Sequence, residues 1–300
     1  MKTLVTGATG LIGSALLPRL ERAVILSREP DAARQKFPGA EAFGWAPEAG
    51  PPPGSAFEEV EAVVHLAGEP IAGGRWSEER KRRIRDSRVL GTRRLVEAML
   101  ALPRPPRVLV CASAIGVYGD RGEEELDEAS APGSGFLAEV CLEWEAEAQK
   151  AAGRGIRVVC IRNGIVLSAQ GGALSRMVKP FRWGLGGPIG GGRQWMSWIH
   201  LEDEVGILLR ALGDAGLSGP VNAVAPQPVT NAEFSRALGS ALGRPAFLSL
   251  PRFALRAAFG EMSQVLTGSQ RVLPRAMLHA GYAFRFPRID EALLDLFKRV

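Results

Sequence analysis

The chain has 300 residues, of which 46% are hydrophobic and 23% are charged, and its formal net charge is +5 at pH 7. These values are typical of a globular protein with a sizeable core, and they exclude collagen-like, disordered and disulfide-scaffold classes. No apolar run approaches the ~18 residues of a membrane-spanning helix, and the strand-like start contains no secretory leader. We therefore expect a cytoplasmic protein without a membrane partner.

The first 160 residues alternate short β-branched runs with longer helical patterns, which is typical of βαβ units and a parallel sheet. Helical spacing predicts helices over residues 11–21, 77–101 and 136–152, and the glutamates of the third helix fall largely outside its apolar stripe. The predicted strands are nearly all apolar, which indicates that helices cover both of their faces. These strands are Thr3–Thr6, Ala23–Leu26, Ala62–Leu66, Val108–Cys111 and Ile156–Ile161.

After about residue 165 this alternation loosens. Helices are predicted over Leu201–Leu212 and Asn231–Leu242, with Asn231 as the candidate cap of the second. We predict an α/β protein with a Rossmann-type doubly wound parallel sheet over residues 1–167, to which residues 198–226 return. Residues 168–197 and 227–300 are expected to form a smaller C-terminal α/β lobe that binds the substrate.

A glycine-rich turn follows the first predicted strand and opens the first helix. Its glycines allow a tight turn, a close approach of the backbone to a pyrophosphate, and close packing of helix on strand. The pyrophosphate would lie at the helix N-terminus, where free N–H groups favour an anion. The turn therefore predicts a dinucleotide site, with contacts from Gly7, Thr9, Gly10, Leu11, Ile12 and Gly13.

The end of the second predicted strand indicates which dinucleotide is bound. An NAD site normally places an acid there to hold the ribose 2′-hydroxyl, whereas this chain has Ser27 and Arg28. A guanidinium can pair with a 2′-phosphate, a contact worth about 1.5–3 kcal/mol. Glu29 and Asp31 follow closely, and a slip in register would put one of them on the ribose. We expect NADP(H) to be preferred over NAD(H).

The densest positive charge lies in residues 80–88. A nucleic-acid surface and a solvated helix face would both have this pattern, and we favour the helix face because no DNA-binding motif or interleaved aromatic residue accompanies it. We therefore expect no nucleic-acid partner. The three cysteines and three histidines show no metal-ligand spacing, so no metal is expected. The expected partner is a small molecule, and the chain is expected to be a monomer or a homodimer.

Several separated motifs resemble those of extended short-chain dehydrogenases/reductases: TGATGLIG at 6–13, HLAG at 65–68, RVLGT at 88–92 and SAIGVYG at 113–119. Longer stretches, among them GRQWMSWIHLEDEVG at 192–206 and QRVLPRAMLHAGYAFRFP at 270–287, narrow the resemblance to the atypical NAD(P)-dependent epimerase family. Members carry a characteristic C-terminal segment and are often labelled nucleoside-diphosphate-sugar epimerases. Further cofactor contacts are expected from His65, Leu66, Ala67, Gly68, Arg88, Ser113 and Arg162.

The catalytic pattern departs from this resemblance. Ordinary short-chain dehydrogenases use Tyr-x-x-x-Lys, in which the Lys lowers the pKa of the phenol that moves a proton. This chain contains no Tyr-x-x-x-Lys, and Phe136 and Val140 stand at the Tyr and Lys positions. Ser113 keeps the place of the usual serine. Tyr118 and Glu139 complete the predicted catalytic set, and Glu69 and His200 are further candidate proton donors.

Three explanations for the missing tyrosine remain open. Another group supplies the proton, or the reaction needs only hydride transfer from the cofactor, or the protein binds NADP(H) without turnover as a sensor or scaffold. We favour an oxidoreductase over the sensor. A nucleotide-sugar epimerase is the least favoured of the functions, because epimerisation in related folds uses the tyrosine that this chain lacks. Substrate contacts are expected from Glu69, Trp76, Arg193 and Trp195, which suit an anionic or planar ligand, although the tryptophans could instead pack the lobes together.

Overall fold

The computed structural model describes residues 1–298. Its strands are β1 (Lys2–Thr6), β2 (Arg22–Ser27), β3 (Glu41–Gly44), β4 (Ala62–His65), β5 (Val108–Ala114), β6 (Glu125–Leu126), β7 (Arg157–Asn163), β8 (Ile165–Leu167), β9 (Trp195–Met196), β10 (Trp198–His200), β11 (Gly219–Ala223), β12 (Val229–Thr230) and β13 (Arg271–Val272). Its α-helices are α1 (Leu11–Leu16), α2 (Pro30–Lys36), α3 (Glu78–Ala101), α4 (Phe136–Gln149), α5 (Gly172–Arg182), α6 (Leu201–Gly213), α7 (Asn231–Leu242), α8 (Arg252–Phe259), α9 (Gln264–Thr267), α10 (Arg275–His279) and α11 (Ile289–Lys298).

Seven parallel strands form the central sheet in the order β11-β7-β5-β4-β1-β2-β3. The chain winds outward from β1 in both directions, so the strand order reverses between β1 and β4. Ligands of open α/β sheets bind beyond the carboxyl ends of the strands at this switch point. The predicted doubly wound Rossmann-type fold is confirmed.

The sheet is buried on both faces because successive side chains of a strand point to opposite sides. Val5 and Val64 belong to one apolar cluster, which α1 and α6 cover. Leu4 and Val63 belong to a second cluster, which also contains Trp144 of α4. This two-sided burial is the reason why the central strands are continuous apolar runs.

A third apolar cluster lies in the C-terminal part of the chain. It joins side chains of α5, α7 and α11 to β8 and β10, among them Leu174, Phe234 and Leu293. Two-residue strands add local pairs, because β9 pairs with β12 and β6 pairs with β13. Among residues 1–298, no helix is long and apolar enough to cross a membrane.

The structure corrects one predicted helix cap. Thr230, not Asn231, caps α7, because its hydroxyl accepts the Glu233 N–H while the Glu233 carboxylate accepts the Thr230 N–H. This reciprocal pair is a capping box. The Asn231 side chain is buried instead, and its Oδ1 accepts the Ile189 N–H at 2.7 Å.

Candidate functional site

The glycine-rich turn between β1 and α1 is shaped by close backbone contacts. Gly7 has φ +69°, and a Cβ atom there would lie 2.7 Å from the carbonyl carbon of Leu66. A Cβ atom on Gly13 would lie 2.4 Å from the Gly7 carbonyl oxygen. Gly10 begins α1, is exposed, and carries no side chain that would cover the turn. The turn therefore presents open backbone at the carboxyl edge of the sheet, with Thr9 exposed beside it.

His65 holds the ends of β1 and β4 together. Its Nδ1 lies 2.7 Å from the Thr6 hydroxyl oxygen, which also accepts the Ala67 N–H at 3.2 Å. Burial, and then the charge of Arg88, lower the pKa of His65 to about 4. The imidazole is fully buried and neutral at pH 7, so it supports the edge where Leu66, Ala67 and Gly68 follow.

Two cations lie near the turn where the ribose of a dinucleotide is expected. Arg28 is exposed directly after β2, and the Ser27 hydroxyl accepts the Glu29 N–H. The second cation, Lys36 of α2, was not predicted: its Nζ donates to the Thr9 carbonyl at 3.2 Å and to the Ser14 hydroxyl at 2.7 Å. Asp31, one of the alternative ribose partners, is instead paired with Arg34.

A cavity of about 700 Å³ opens beyond the carboxyl ends of the central strands. Its walls come from the sheet edge, from α4, and from the C-terminal segments that carry β9 and α9. Nine of the residues singled out in the sequence line it: Ile12, Leu66, Gly68, Trp76, Arg88, Ser113, Phe136, Val140 and Trp195.

The polar network at the cavity floor contains an acid that the sequence did not single out. The Ser113 hydroxyl donates to Oε1 of Glu145 at 2.6 Å. Arg162 donates from Nε and Nη2 to the two oxygens of the same carboxylate, each at 2.9 Å. Burial alone would lower the pKa of Arg162, but the hydrogen bonds and charge of Glu145 outweigh it and raise that pKa. Arg162 therefore lies behind Ser113 and outside the cavity wall.

Glu145 was expected outside the buried stripe of α4, and the structure corrects this. Its side chain is only 15% exposed because α4 packs across β5 and β7, so the residue after Trp144 faces Arg162. A buried guanidinium on β7 requires an acid from the covering helix, which explains the pairing. The signal in the sequence was Arg162 itself, a charged residue in an apolar strand.

Tyr118 does not reach the cavity. Its hydroxyl donates to Oδ1 of Asn222 at 2.8 Å and accepts from Nη1 of Arg162 at 2.9 Å. Burial raises the pKa of Tyr118, so the phenol stays protonated. Its prediction as a cavity proton donor is corrected: the hydroxyl is fully buried in the network behind Ser113.

The other candidate proton donors also lie away from the cavity wall. Glu139 is exposed on α4, one position beyond the inward-facing Ala138. His200 begins α6, where its Nδ1 accepts the Glu202 N–H at 3.1 Å. Glu69 contributes its backbone, donating to the Ser87 hydroxyl and accepting from Arg88.

An apolar wall replaces the tyrosine and lysine of ordinary short-chain enzymes. Phe136 and Val140 both line the cavity, and the Trp76 ring meets the Phe136 ring edge-on at 5.3 Å. Trp195 lines the opposite segment, and its indole N–H donates to Glu123 at 2.8 Å. Of the four predicted substrate residues, the structure therefore brings Trp76 and Trp195 to the cavity, whereas Arg193 is exposed elsewhere.

Two polar groups at the cavity, Arg88 and Asn163, could still bind a ligand. Arg88 donates to the carbonyls of Glu69 and Ile84, lies 5.2 Å from the Trp144 ring, and makes no ion pair with another described residue. Burial lowers its pKa. Asn163, at the end of β7, has a buried Oδ1 that accepts no hydrogen bond within residues 1–298. Asn163 was missed as a site residue, although it lies in the RNGIVLS stretch at 162–168.

Known proteins resemble the chain along its whole length. Residues 3–223 match the NAD dependent epimerase/dehydratase family, and residues 250–296 match a domain of unknown function, DUF1731. An epimerase family protein of Mycobacterium bovis is 44% identical over 292 residues, which are 96% of this chain and 95% of the relative. A chloroplastic SDR39U1 homologue of Arabidopsis thaliana is 40% identical over 307 residues, covering 98% of this chain and 86% of the relative.

The fold also closely resembles that of a solved structure. The crystal structure of the human epimerase family protein SDR39U1 (isoform 2) with NADPH aligns with a TM-score of 0.90 and 37% identity. The alignment covers 100% of both chains. The C-terminal segment is therefore shared with that protein together with the nucleotide-binding fold.

Proposed function

The chain belongs to the NAD dependent epimerase/dehydratase family, and we propose that it is an NADP(H)-dependent oxidoreductase acting on a small molecule in the cavity. One observation carries this proposal: a serine hydroxyl at the cavity floor is hydrogen-bonded to a carboxylate that an arginine holds in place. Residues 1–167 with 198–226 would carry the cofactor, and residues 168–197 with 227–300 would complete the substrate side. Helices α5, α7 and α11 of the second group share the third apolar cluster, which also joins them to β8 and β10 of the first.

The residues present fit a dinucleotide. Gly7 and Gly13 let the turn pack closely on the protein's own backbone, and the exposed Gly10 puts no side chain over it, so the backbone is open to a pyrophosphate. The unpartnered Oδ1 of Asn163 offers an acceptor to a donor on the ligand. The NADPH in the human relative's structure supports the same cofactor here. When bound, NADP(H) supplies or accepts the hydride.

The preference for NADP(H) over NAD(H) rests on Arg28 and Lys36. Both are exposed cations near the turn, and neither makes an ion pair with another residue of 1–298. A 2′-phosphate would pair with such groups, whereas a 2′-hydroxyl would gain little from them. The exposed Glu29 is the remaining acid that could instead serve an NAD ribose.

Ser113 is the proposed proton-transfer group. Because its hydroxyl proton points to Glu145, its lone pairs are left for a donor such as a substrate hydroxyl. As that proton passes to Ser113, the serine proton passes to the Glu145 carboxylate, and reduction of a carbonyl uses the same path in reverse. Arg162 positions Glu145 and compensates its charge.

The cavity lining indicates the substrate class. Trp76, Phe136 and Trp195 suit a planar or apolar body. Arg88, a cavity cation without an ion pair among the described residues, suits an anionic group of the substrate or cofactor.

A non-catalytic NADP(H) sensor is the second candidate. It is favoured by Phe136 and Val140, which place no proton donor on α4 where ordinary short-chain dehydrogenases have the tyrosine and lysine. The same substitution weighs against sugar epimerisation.

Ser113→Ala separates these candidates. We expect the variant to bind NADPH with unchanged affinity while NADPH oxidation with carbonyl substrates falls by about 10²–10⁴-fold, because the proton route is lost. Ser134→Ala, at another serine of the cavity wall, is the matched control and should keep wild-type rates. Calorimetry and absorbance at the reduced-nicotinamide band measure the two quantities. NADPH binding without turnover by the wild type on any carbonyl or ene compound would contradict the enzyme and favour the sensor.

A further inference from the structure

The C-terminal part of the chain exposes large apolar side chains that no described residue covers. Trp183, Phe247 and Phe253 are 79%, 71% and 77% exposed, and Leu185 and Leu250 are exposed beside them. We call these five residues the Trp183 surface. Single exposed apolar residues are ordinary, but contiguous patches of them mark interaction sites.

Backbone hydrogen bonds bring together the two segments that carry the Trp183 surface. The Leu248 N–H donates to the Gly186 carbonyl at 3.2 Å, and the Leu250 N–H donates to the Pro188 carbonyl at 2.9 Å. Trp183 follows the last residue of α5, and Phe253 lies in the first turn of α8. The segments 183–190 and 247–253 therefore run side by side, so their exposed apolar residues belong to one region of the surface.

The two segments that carry this surface are basic, and the acid that follows the second one, Glu261, is paired with Lys81. Residues 172–201 and 234–260 contain no Asp or Glu. Their exposed cations include Lys179 and Arg182 at the end of α5, Arg244, and Arg252 and Arg256 on α8. None of these five makes an ion pair with another residue of the described chain, 1–298. Apolar residues on segments that also carry unpaired cations fit an apolar partner with anionic groups.

We propose that the Trp183 surface docks on a lipid bilayer that has anionic headgroups. Aromatic rings settle at the level of the headgroups, and each nearby Lys or Arg adds attraction to an anionic leaflet. A second copy of the chain is a poorer occupant, because a symmetric contact would bring the same unpaired cations face to face. The docking is peripheral and revises the sequence-based expectation of no membrane partner.

The surface also continues into the wall of the cavity. Ile189 forms a bridge with Leu250 and lines the cavity, so the apolar patch and the cavity share one loop. A bilayer, unlike an acidic protein, can deliver an apolar molecule to that loop, which is why we favour lipid. The choice of lipid over an acidic protein therefore rests on the proposed apolar substrate, whereas the docking itself is measured without NADPH.

Sedimentation of the full chain with vesicles tests the docking. We expect binding to vesicles of phosphatidylcholine mixed with phosphatidylserine, little binding to phosphatidylcholine alone, and a loss of binding as salt is raised. Arg182→Glu with Arg252→Glu should lower the partition coefficient by about 30-fold or more, because each basic residue lost from an anionic surface is worth ~1 kcal/mol. Trp183→Ser with Phe253→Ser should lower it by about tenfold or more, because buried aromatic area is lost.

The matched control makes the same charge change elsewhere. Arg82→Glu with Arg83→Glu alters two exposed arginines on α3, where no large exposed apolar side chain adjoins them. This pair should leave vesicle binding within about twofold, and thermal unfolding should show that all variants fold. Equal losses in both charge pairs, or no binding of the wild type to phosphatidylserine vesicles, would overturn the proposal. A dimer detected by light scattering and abolished by Trp183→Ser with Phe253→Ser would identify a second copy as the occupant and would also overturn it.

Discussion

Glu204 is a buried carboxylic acid on α6, and neither of its oxygens has a hydrogen-bond partner among residues 1–298. Burial raises its pKa to about 8. The group is therefore protonated at neutral pH, because an ionised carboxylate without a partner is strongly disfavoured in an apolar interior.

This raised pKa predicts how stability changes with pH. The unfolded chain releases the Glu204 proton near pH 4.5, whereas the folded chain keeps it to about pH 8, so stability falls as pH rises through that window. In Glu204→Leu there is no buried carboxyl group to ionise. The unfolding free energy of the variant, relative to that of the wild type, should therefore rise by up to about 5 kcal/mol between pH 4.5 and about pH 8. Urea denaturation across this pH range measures it.

The control for this experiment is Glu139→Leu, which changes an exposed glutamate on α4. Its effect should be nearly the same at both ends of the pH range. A Glu204→Leu effect that is equally flat would show that the carboxyl group ionises freely in the folded protein.

Single residues of the site were predictable to different degrees. Ser113 and Phe136 were placed by their motifs, and both line the cavity. Glu145 and Lys36 were not, because their roles depend on partners distant in sequence: Arg162 on β7 and the Thr9 carbonyl. Tyr118 was predicted as a candidate proton donor, and the sequence did not reveal that its hydroxyl donates to Asn222.

Three elements are tied together by one ionic contact. Glu145 on α4 joins Ser113 of β5 to Arg162 of β7, and both charged side chains are nearly buried, at 15% and 10% exposed. Removing one member of such a pair leaves an uncompensated buried charge, whereas replacing both with apolar residues is far less costly.

A double-mutant cycle tests this contact. Glu145→Leu alone and Arg162→Met alone should each lower the unfolding free energy by about 3–5 kcal/mol. The double variant should lose much less than the sum of the two. Urea denaturation of all four proteins gives the coupling energy, and additive losses would show that the two side chains do not stabilise each other.

Helices and strands were predictable where apolar periodicity was strong. The five predicted strands appear as β1, β2, β4, β5 and β7, and α7 has its predicted bounds. The sequence did not predict β3, a short strand at the edge of the sheet, or α5, which contains Pro180. Edge strands and proline-containing helices are formed by tertiary contacts more than by local pattern.

The candidate functional groups lie together at one end of the central sheet. The strand order reverses between β1 and β4, and the glycine-rich turn, the cavity and the Ser113 network all lie at that end of the sheet. The sequence predicted this fold because several separated motifs agree with the alternation of apolar strands and helices. The substrate was not predictable, since the cavity walls come from segments without a regular pattern, such as residues 264–268.

The central claim is that the chain binds NADP(H) selectively, and a calorimetric titration with NADPH and NADH tests it most directly. We expect NADPH to bind at least about tenfold more tightly than NADH, and Arg28→Ala to remove most of this difference, since the guanidinium–phosphate contact is worth about 1.5–3 kcal/mol. Arg82→Ala, an exposed arginine on α3, should leave both affinities unchanged. Equal affinities for the two cofactors, or no binding of either, would contradict the account.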